Sequence, residues 1–202
     1  LQVFGISVKD KVTLDIGAST GGFTDVLLQN GASLVYAVDV GTNQLAWKLR
    51  QDQRVISMEQ FNFRYASVTD FEQIPQFASI DVSFISLSLI LPALKEVLAE
   101  EGQVVALIKP QFEAGRQQIG KKGIVRDKKT HEEVIEKVME YAMENTLYPA
   151  GLTYSPVTGT KGNIEYLLLL GKNEKIFNRS MVKDVVEKAH EELYNGCKCF
   201  KR

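Results

Sequence analysis

The chain has 202 residues, of which 45% are hydrophobic and 24% charged, and its formal net charge is -1. This length favours one domain with a full hydrophobic core, and the near-neutral charge excludes a global basic field, so any nucleic-acid surface must be local. No apolar run approaches the roughly 18 residues of a membrane span, no signal peptide opens the sequence, and two cysteines exclude a disulfide framework, so we expect a cytoplasmic protein.

Short apolar runs bounded by turn residues predict strands, and runs with apolar residues at helical spacing predict helices. The segment 1–8 is predicted to be the end of a helix and a lead-in. Predicted strands follow at 12–14, 34–38, 54–58, 79–85, 103–108, 152–157 and 164–170. Predicted helices run from the first glycine turn to about 30–31 and then over 44–50, 87–100, 131–145 and 178–194. Strands alternating with helices, then a closing strand pair, predict one α/β domain over 1–202 with a mostly parallel sheet.

The stretch LDIGASTGGFTD, at 14–25, joins the first predicted strand to the first helix. Asp15 is expected to end the strand, and the three glycines that follow permit a tight turn and a close approach of the backbone to a ligand. A dinucleotide fingerprint would read G-x-G-x-x-G, whereas this loop reads G-x-x-x-G-G. An acidic residue directly before such a loop suits a cationic or amine-bearing ligand better than a diphosphate. The turn therefore predicts a cofactor site at the carboxyl ends of the strands; the alternative is a plain Rossmann-like turn with another nucleotide or none.

Two further polar residues follow predicted strands on the same side. Asp39 closes the run at 34–38, a position that suits a carboxylate accepting hydrogen bonds from ribose hydroxyls. Asn62 lies in the loop after the third strand, where it would sit beside the adenine of a bound cofactor, although a plain surface loop fits equally well.

Three charged residues interrupt runs that are otherwise apolar: Asp81 in IDVSFIS, Lys109 in LIKPQFE and Glu165 in GNIEYLLLL. Charged side chains are rarely buried unless they are paired. If the three strands are neighbours, these charges converge above the cofactor loop, where a lysine held by carboxylates could orient or deprotonate a hydroxyl. The alternative is a structural salt-bridge cluster.

The segment 111–130 is rich in cations and in glycine. It follows the strand that carries Lys109, so it could close over a substrate while its cations meet phosphates; the alternative is a solvated loop. His131 and His190 are predicted on helix surfaces. Cys197 and Cys199 are weak evidence for a metal, and no metal site is predicted. The predicted RNA-binding residues are Arg116, Lys121, Lys122, Arg126 and Lys161.

These motifs resemble a known family. Asp81, Lys109 and Glu165 match three members of the Lys-Asp-Lys-Glu set of FtsJ-like RNA ribose 2′-O-methyltransferases. The surrounding words, including ASTGGFTDVLL, DVSFISL, IKPQFEAG and GNIEYLL, are similar to the TlyA family, often labelled hemolysin A, over about 10–170. Members of that family carry a small N-terminal RNA-binding domain. That domain and the first lysine of the set are expected to lie upstream of this chain.

The resemblance implies a class I S-adenosylmethionine-dependent methyltransferase fold, a seven-stranded sheet with helices on both faces, and methyl transfer to a ribose 2′-hydroxyl of ribosomal RNA. It assigns catalytic roles to Asp81, Lys109 and Glu165. Together with the loop, it predicts these cofactor-binding residues: Asp15, Gly17, Ala18, Ser19, Gly21, Gly22, Phe23, Asp39, Val40, Asn62 and Asp81.

Three alternatives stay open at this point. The first is a methyltransferase of the same fold acting on a small hydroxyl compound, which would need a closed pocket. The second is a membrane-active hemolysin, which would need a long apolar span or a strongly amphipathic membrane helix. The third is a ribosome-binding module that holds the cofactor without turnover.

Overall fold

The computed structural model describes residues 1–159, 161–174 and 177–195, so Cys197, Cys199 and the basic tail lie outside the described residues. Within these, seven strands form one sheet in the order β3-β2-β1-β4-β5-β7-β6. Strands β1 to β5 are parallel, and β7 lies antiparallel between β5 and β6. The strands are β1 (Val12–Ile16), β2 (Leu34–Val38), β3 (Val55–Met58), β4 (Phe77–Ile80), β5 (Gln103–Ile108), β6 (Tyr148–Tyr154) and β7 (Tyr166–Gly171).

Helices cover both faces of the sheet, as predicted. They are α1 (Gly22–Gln29), α2 (Trp47–Arg50), α3 (Leu91–Val97), α4 (Pro110–Glu113), α5 (Lys128–Glu144) and α6 (Ser180–His190), and α6 continues as a π-helical turn at Glu191–Asn195. Because side chains alternate along a strand, each strand supplies both faces. In β2, Tyr36 and Val38 enter the core that holds α3, α5 and α6, whereas Val35 and Ala37 enter the core that holds α1 and α2.

Several predicted element bounds are wrong. β1 does not end at Asp15 but continues to Ile16, which pairs with Ile80 at the end of β4. Asp81 therefore follows β4 instead of lying inside it, and its amide makes the last bond to Ile16 O, at 2.9 Å. Glu165 likewise precedes β7.

Three predicted helical segments are shorter than expected. Segment 44–50 keeps one α-turn, α2, because Asn43 has a positive φ and Ala46 is extended. Segment 87–100 divides into a 3-10 turn at Leu87–Leu89 and α3, which stops where Leu98 becomes extended. Segment 1–8 has only a 3-10 turn, Gln2–Phe4, closed by a left-handed Gly5.

The prediction that both histidines lie on helix surfaces is wrong. His131 on α5 is fully buried and His190 on α6 is 5% exposed, and their rings face each other where the two helices pack. Burial lowers the pKa of His131, and burial together with the charge of His131 lowers the pKa of His190 to about 4. Both imidazoles are therefore neutral parts of the core at neutral pH.

Candidate active site

The glycine loop between β1 and α1 requires glycine at two positions. Gly17 has φ +84°, and a Cβ there would collide with the carbonyl oxygen of Asp81. Gly21, the N-cap of α1, has φ +96°, and a Cβ there would collide with the side chains of Leu45 and Leu49. The amides of Gly17 and Ala18 both donate to Val38 O, at 2.9 and 3.0 Å, so the loop folds back over the end of β2.

Asp15 lies beneath this loop. Its carboxylate is fully buried and accepts hydrogen bonds from Thr24 Oγ1 at 2.7 Å and from Ser79 Oγ at 3.0 Å. Burial raises its pKa to about 6, against the lowering effect of these hydrogen bonds. The sequence places this carboxylate next to a ligand, whereas the structure uses it to join β1 to α1 and β4 and so to support the loop from below.

Asp39 holds the loop from the side. Its Oδ2 accepts from the Ser19 amide at 2.8 Å and its Oδ1 from the Gly41 amide at 2.7 Å. Each carboxylate oxygen has more than one lone pair, so Asp39 keeps acceptor capacity for a ligand. The side chain is partly exposed at the end of β2, where it can do so.

Two neighbouring cavities open along the loop. The first, of about 350 Å³, is bounded by the ends of β1 and β2 and by the segments around 61–63 and 81–85. The second, of about 300 Å³, lies on the α1 side. Between them they bring together most of the predicted cofactor-binding residues, namely Gly17, Ala18, Ser19, Gly22, Phe23, Asp39, Val40, Asn62 and Asp81; Asp15 and Gly21 line neither.

Aromatic residues that sequence reasoning missed complete the first cavity. Phe61 and Phe63 flank Asn62 in its lining, and Asn62 caps the 3-10 turn that begins at Phe63. Phe84 and Ile85 line the opposite side. The available signal was the pair of phenylalanines on either side of Asn62, because hydrophobic and aromatic side chains form most of the lining of small-molecule sites.

Asp81 and Lys109 meet at the mouth of this cavity. Lys109 Nζ lies 2.5 Å from Asp81 Oδ1 and donates to Ser83 Oγ at 2.9 Å. The contact with Asp81 is an ion pair and not a well-aligned hydrogen bond, since Oδ1 has no partner of suitable geometry among the described residues. The lysine side chain is 13% exposed and the aspartate 33%, so the pair is open to solvent on one side only.

Glu165 belongs to the same charge cluster. Burial raises its pKa, while the nearby Lys109 ammonium and a hydrogen bond from Gln111 Nε2, 3.3 Å from Glu165 Oε1, act in the opposite direction. Gly159 leaves room for this carboxylate, because a Cβ there would collide with it. The structure thus brings the three charges together, as the strand order predicts, and adds Ser83 and Gln111.

Glu113 was counted in the sequence only as one charge of a basic segment. In the structure it is 6% exposed, and it accepts hydrogen bonds from Ser86 Oγ and from the Leu87 amide, both at 2.7 Å. Burial raises its pKa, against these two bonds. Glu113 therefore fastens the loop that carries Asp81 and Ser83 to α4, directly after Lys109.

Phe84 stands out on the surface beside this centre. It is 90% exposed, has a positive φ of 64°, and its ring centroid lies 4.9 Å from that of Phe112. A backbone conformation that is unfavourable for a bulky residue here presents an aromatic face to solvent.

The basic segment forms a surface on the far side of Lys109. Lys121, Lys122 and Arg126 are exposed and line a shallow cavity of about 360 Å³, and the Arg126 guanidinium lies 5.6 Å from the Tyr194 ring centroid. Lys161 is also exposed and its ammonium lies near Gly123, whereas Arg116 lies in a separate 3-10 turn and does not line this cavity.

The described residues contain neither a candidate membrane span nor a metal-binding cluster. In that part of the chain, no helix has both the length and the apolar character needed to cross a membrane. Over the same residues, no group of three or more His, Cys, Asp or Glu side chains is placed to hold a metal ion.

The strand order, the antiparallel β7 and the glycine loop after β1 define a class I, Rossmann-like methyltransferase fold. A protein-family model for FtsJ-like methyltransferases matches residues 1–172. The chain belongs to the FtsJ-like methyltransferase family.

Similar proteins carry two kinds of name. A Bacillus subtilis protein provisionally named the rRNA methyltransferase YqxC is 54% identical over 199 residues, covering 96% of this chain and 71% of that protein. The Mycobacterium tuberculosis 16S/23S rRNA (cytidine-2′-O)-methyltransferase TlyA is 39% identical over 193 residues, covering 95% of this chain and 72% of that protein. A solved Streptococcus thermophilus structure, provisionally described as a hemolysin, has a TM-score of 0.95 and 59% identity, covering 98% of this chain and 73% of that one.

Proposed function

We propose that this protein transfers a methyl group from S-adenosylmethionine to a ribose 2′-hydroxyl of ribosomal RNA. The observation that carries the proposal is Lys109, paired with Asp81 and bonded to Ser83 at the mouth of the loop cavity. The names of the relatives from M. tuberculosis and B. subtilis agree with it.

The cavity fits a nucleoside-bearing cofactor. Gly17 has no side chain that would keep a ligand away from the loop backbone. Asp39 provides carboxylate oxygens as acceptors at the end of β2, and Phe61 and Phe63 form apolar parts of the lining. The volume, about 350 Å³, falls in the usual range of about 300–1,000 Å³ for small-molecule sites. S-adenosylmethionine, when bound, supplies an electrophilic methyl group on a sulfonium.

Lys109 is suited to hold the acceptor hydroxyl. An ammonium has three N–H donors; here one donates to Ser83 Oγ, and the positive charge is paired with the Asp81 carboxylate. Another N–H is left for the oxygen of an incoming ribose hydroxyl, and Asp81 and Glu165 fix the direction in which it points. Because the lysine stands at the cavity mouth, it would orient the hydroxyl oxygen in line with the methyl group, and such positioning accounts for much of the rate in a two-reactant transfer.

The surface around the mouth suits RNA better than a small molecule. Phe84 offers an exposed ring on which an unstacked base could lie, and the cations at Lys121, Lys122 and Arg126 suit phosphates. A small hydroxyl substrate would instead need a closed pocket around Lys109. The hemolysin name of the Streptococcus thermophilus structure is not adopted, because a family model for FtsJ-like methyltransferases matches residues 1–172.

Two measurements test the proposal. Isothermal titration with S-adenosylmethionine is expected to show micromolar binding that Asp39→Ala weakens strongly. With tritium-labelled cofactor, ribosomal subunits and protein that also carries the expected upstream domain and lysine, the label is expected in rRNA, and reverse transcription at low nucleotide concentration is expected to stop at a 2′-O-methylated position. Cofactor binding without any transfer to rRNA would favour the ribosome-binding module, and no cofactor binding by the folded chain would overturn the methyltransferase proposal.

A further inference from the structure

The basic segment is held from behind by a buried polar side chain. Asn163 is 3% exposed; its Oδ1 accepts from the Val125 amide at 3.0 Å, and its Nδ2 donates to Gly123 O at 2.9 Å. One amide side chain thus fixes two backbone points of the segment, across about forty residues of sequence. Burying an amide side chain costs free energy unless its oxygen and its nitrogen both form hydrogen bonds, and here both do.

His131 holds the same stretch from a second direction. Its Nε2 lies 3.0 Å from Val125 O and its Nδ1 lies 2.7 Å from Tyr166 Oη. A carbonyl can only accept, so Nε2 carries the proton and Nδ1 accepts from the Tyr166 hydroxyl. Val125 is fully buried, and both its amide and its carbonyl are bound by these side chains.

The anchored backbone lies between the exposed cations. Lys121 and Lys122 precede Gly123, Arg126 follows Val125, and Lys161 reaches Gly123 from the neighbouring turn. The loop is closed further by two backbone bonds, Gly123 N to Gly120 O at 2.8 Å and Gly120 N to Ile124 O at 3.1 Å. The sequence predicts that the glycines make this segment pliable. In the structure, Gly120 and Gly123 lie in a compact turn that is held by these hydrogen bonds.

Glu165, close to Asn163 in the sequence, is held by a different hydrogen bond from those that Asn163 makes. Glu165 stands two residues after Asn163, but its own backbone carbonyl accepts from the Ser155 amide at 2.8 Å. A loss of the Asn163 side chain therefore changes the shape of the basic segment before it disturbs Glu165.

We propose that Asn163 and His131 are positioning residues for RNA: they hold the segment 120–127 in one shape, so that Lys121, Lys122 and Arg126 meet the phosphates together. This inference rests on the proposed function. A segment already ordered in the free protein loses less conformational freedom on binding, so removal of the anchors weakens RNA binding without removing any charge.

The test compares Asn163→Ala with Asn145→Ala. Asn145 is half-buried and donates from Nδ2 to Tyr141 O at 2.8 Å, at the C-terminal end of α5. We expect Asn163→Ala to raise KM for rRNA roughly tenfold, with kcat within about twofold and the Kd for S-adenosylmethionine unchanged, whereas Asn145→Ala leaves all three values unchanged. An unchanged KM, or an equal loss in RNA binding and cofactor binding, would overturn the inference.

A second readout does not depend on RNA. Hydrogen exchange of peptides that cover 119–127 is expected to speed up roughly tenfold in Asn163→Ala and in His131→Ala. His131→Gln, whose amide can donate to Val125 O, is expected to restore part of the protection. If wild-type protein that also carries the expected upstream domain and lysine methylates no rRNA, the proposed function fails; if it does and the exchange of 119–127 is the same in all variants, the anchoring inference alone fails.

Discussion

On the cofactor side of the site, the glycine loop takes its shape from backbone bonds and from two nearby carboxylates. On the proposed RNA side, the basic segment takes its shape from side chains of α5 and of the turn before β7. Asp15 and Thr24 are nine residues apart, and Asp39 and Ser19 twenty. Asn163 reaches its two partners over 38 and 40 residues. Each side also has a bond of the other kind, since Ser79 donates to Asp15 over 64 residues and His131 contacts Val125 over six. The glycine loop therefore depends more on bonds between neighbouring elements and the basic segment more on Asn163, with Lys109 between them.

The largest effect is expected for a substitution of Lys109, which lies between the cofactor cavity and the basic segment. Lys109→Met keeps much of the side-chain volume and removes the ammonium that meets Asp81 and Ser83. We expect kcat to fall by about 10³-fold, because the acceptor hydroxyl loses its orienting donor. Titration calorimetry and RNA filter binding should show both ligands bound within about threefold of wild type. Lys95→Met, on α3, is the control, and a turnover within tenfold of wild type for Lys109→Met would remove Lys109 from the mechanism.

The buried carboxyl group of Asp15 beneath the loop is expected to make the stability of the fold depend on pH. Its pKa is raised to about 6 from an ordinary 3.8, so the folded protein holds this proton more tightly than the unfolded chain. The contribution to stability is therefore fully present below about pH 4 and is lost as the pH rises to about 6, by up to about 3 kcal/mol. The lowered pKa of His190 acts in the opposite direction, because it makes the fold more stable as the pH rises above about 4. The measurement is therefore the difference in urea-unfolding free energy between wild type and Asp15→Asn, and the stability of wild type relative to the variant should fall by this amount from pH 4 to 7. Parallel curves would mean that Asp15 titrates normally.

Gly17→Ala tests the backbone shape of the loop. The new Cβ meets the Asp81 carbonyl at a positive φ, so the loop must shift where the cofactor would lie. We expect cofactor binding to weaken roughly tenfold or more, with RNA binding unchanged. Gly5→Ala is the matched control: its φ is +63° and a Cβ there meets nothing within 4 Å. An equal loss of cofactor binding in both variants would attribute the effect to general destabilisation.

The smallest effect concerns the aromatic face at the mouth. Phe84→Ala removes an exposed ring, and base stacking on such a ring contributes about 1–3 kcal/mol. We expect KM for rRNA to rise roughly tenfold, with a smaller change in the Kd of the cofactor, because Phe84 also lines the edge of the first loop cavity. Trp47→Ala removes another exposed ring, 71% accessible, that lines neither loop cavity. Equal KM changes in the two variants would argue against a stacking role for Phe84.

Sequence reasoning succeeded where local pattern and strand order decide the outcome. Glycine spacing located the loop, and apolar runs located β2 and β5 at their observed bounds. Because Asp81, Lys109 and Glu165 border three neighbouring strands, the sheet brings their charges together. The sequence could not show that β1 extends past Asp15, since that depends on the pairing of Ile16 with β2 and β4.

Residues whose role depends on burial were missed. Glu113, Asn163 and His131 look like surface residues in the sequence, because a polar side chain is usually exposed. Each is buried only because a partner from elsewhere in the chain satisfies it: Ser86 and Leu87 for Glu113, and the Val125 backbone for the other two. No periodicity within one segment encodes such pairs.

The reversed direction of β7 has a consequence for how this protein can change. A strand that runs against its neighbours begins at the edge where they end, so the turn at 155–165 delivers Glu165 to the site without crossing the sheet. That turn carries both Glu165 and Asn163, so it connects the charge cluster to the segment that Asn163 holds. A change elsewhere in the turn would act on the proposed RNA surface, while the five parallel strands and the loop at their edge remain as they are.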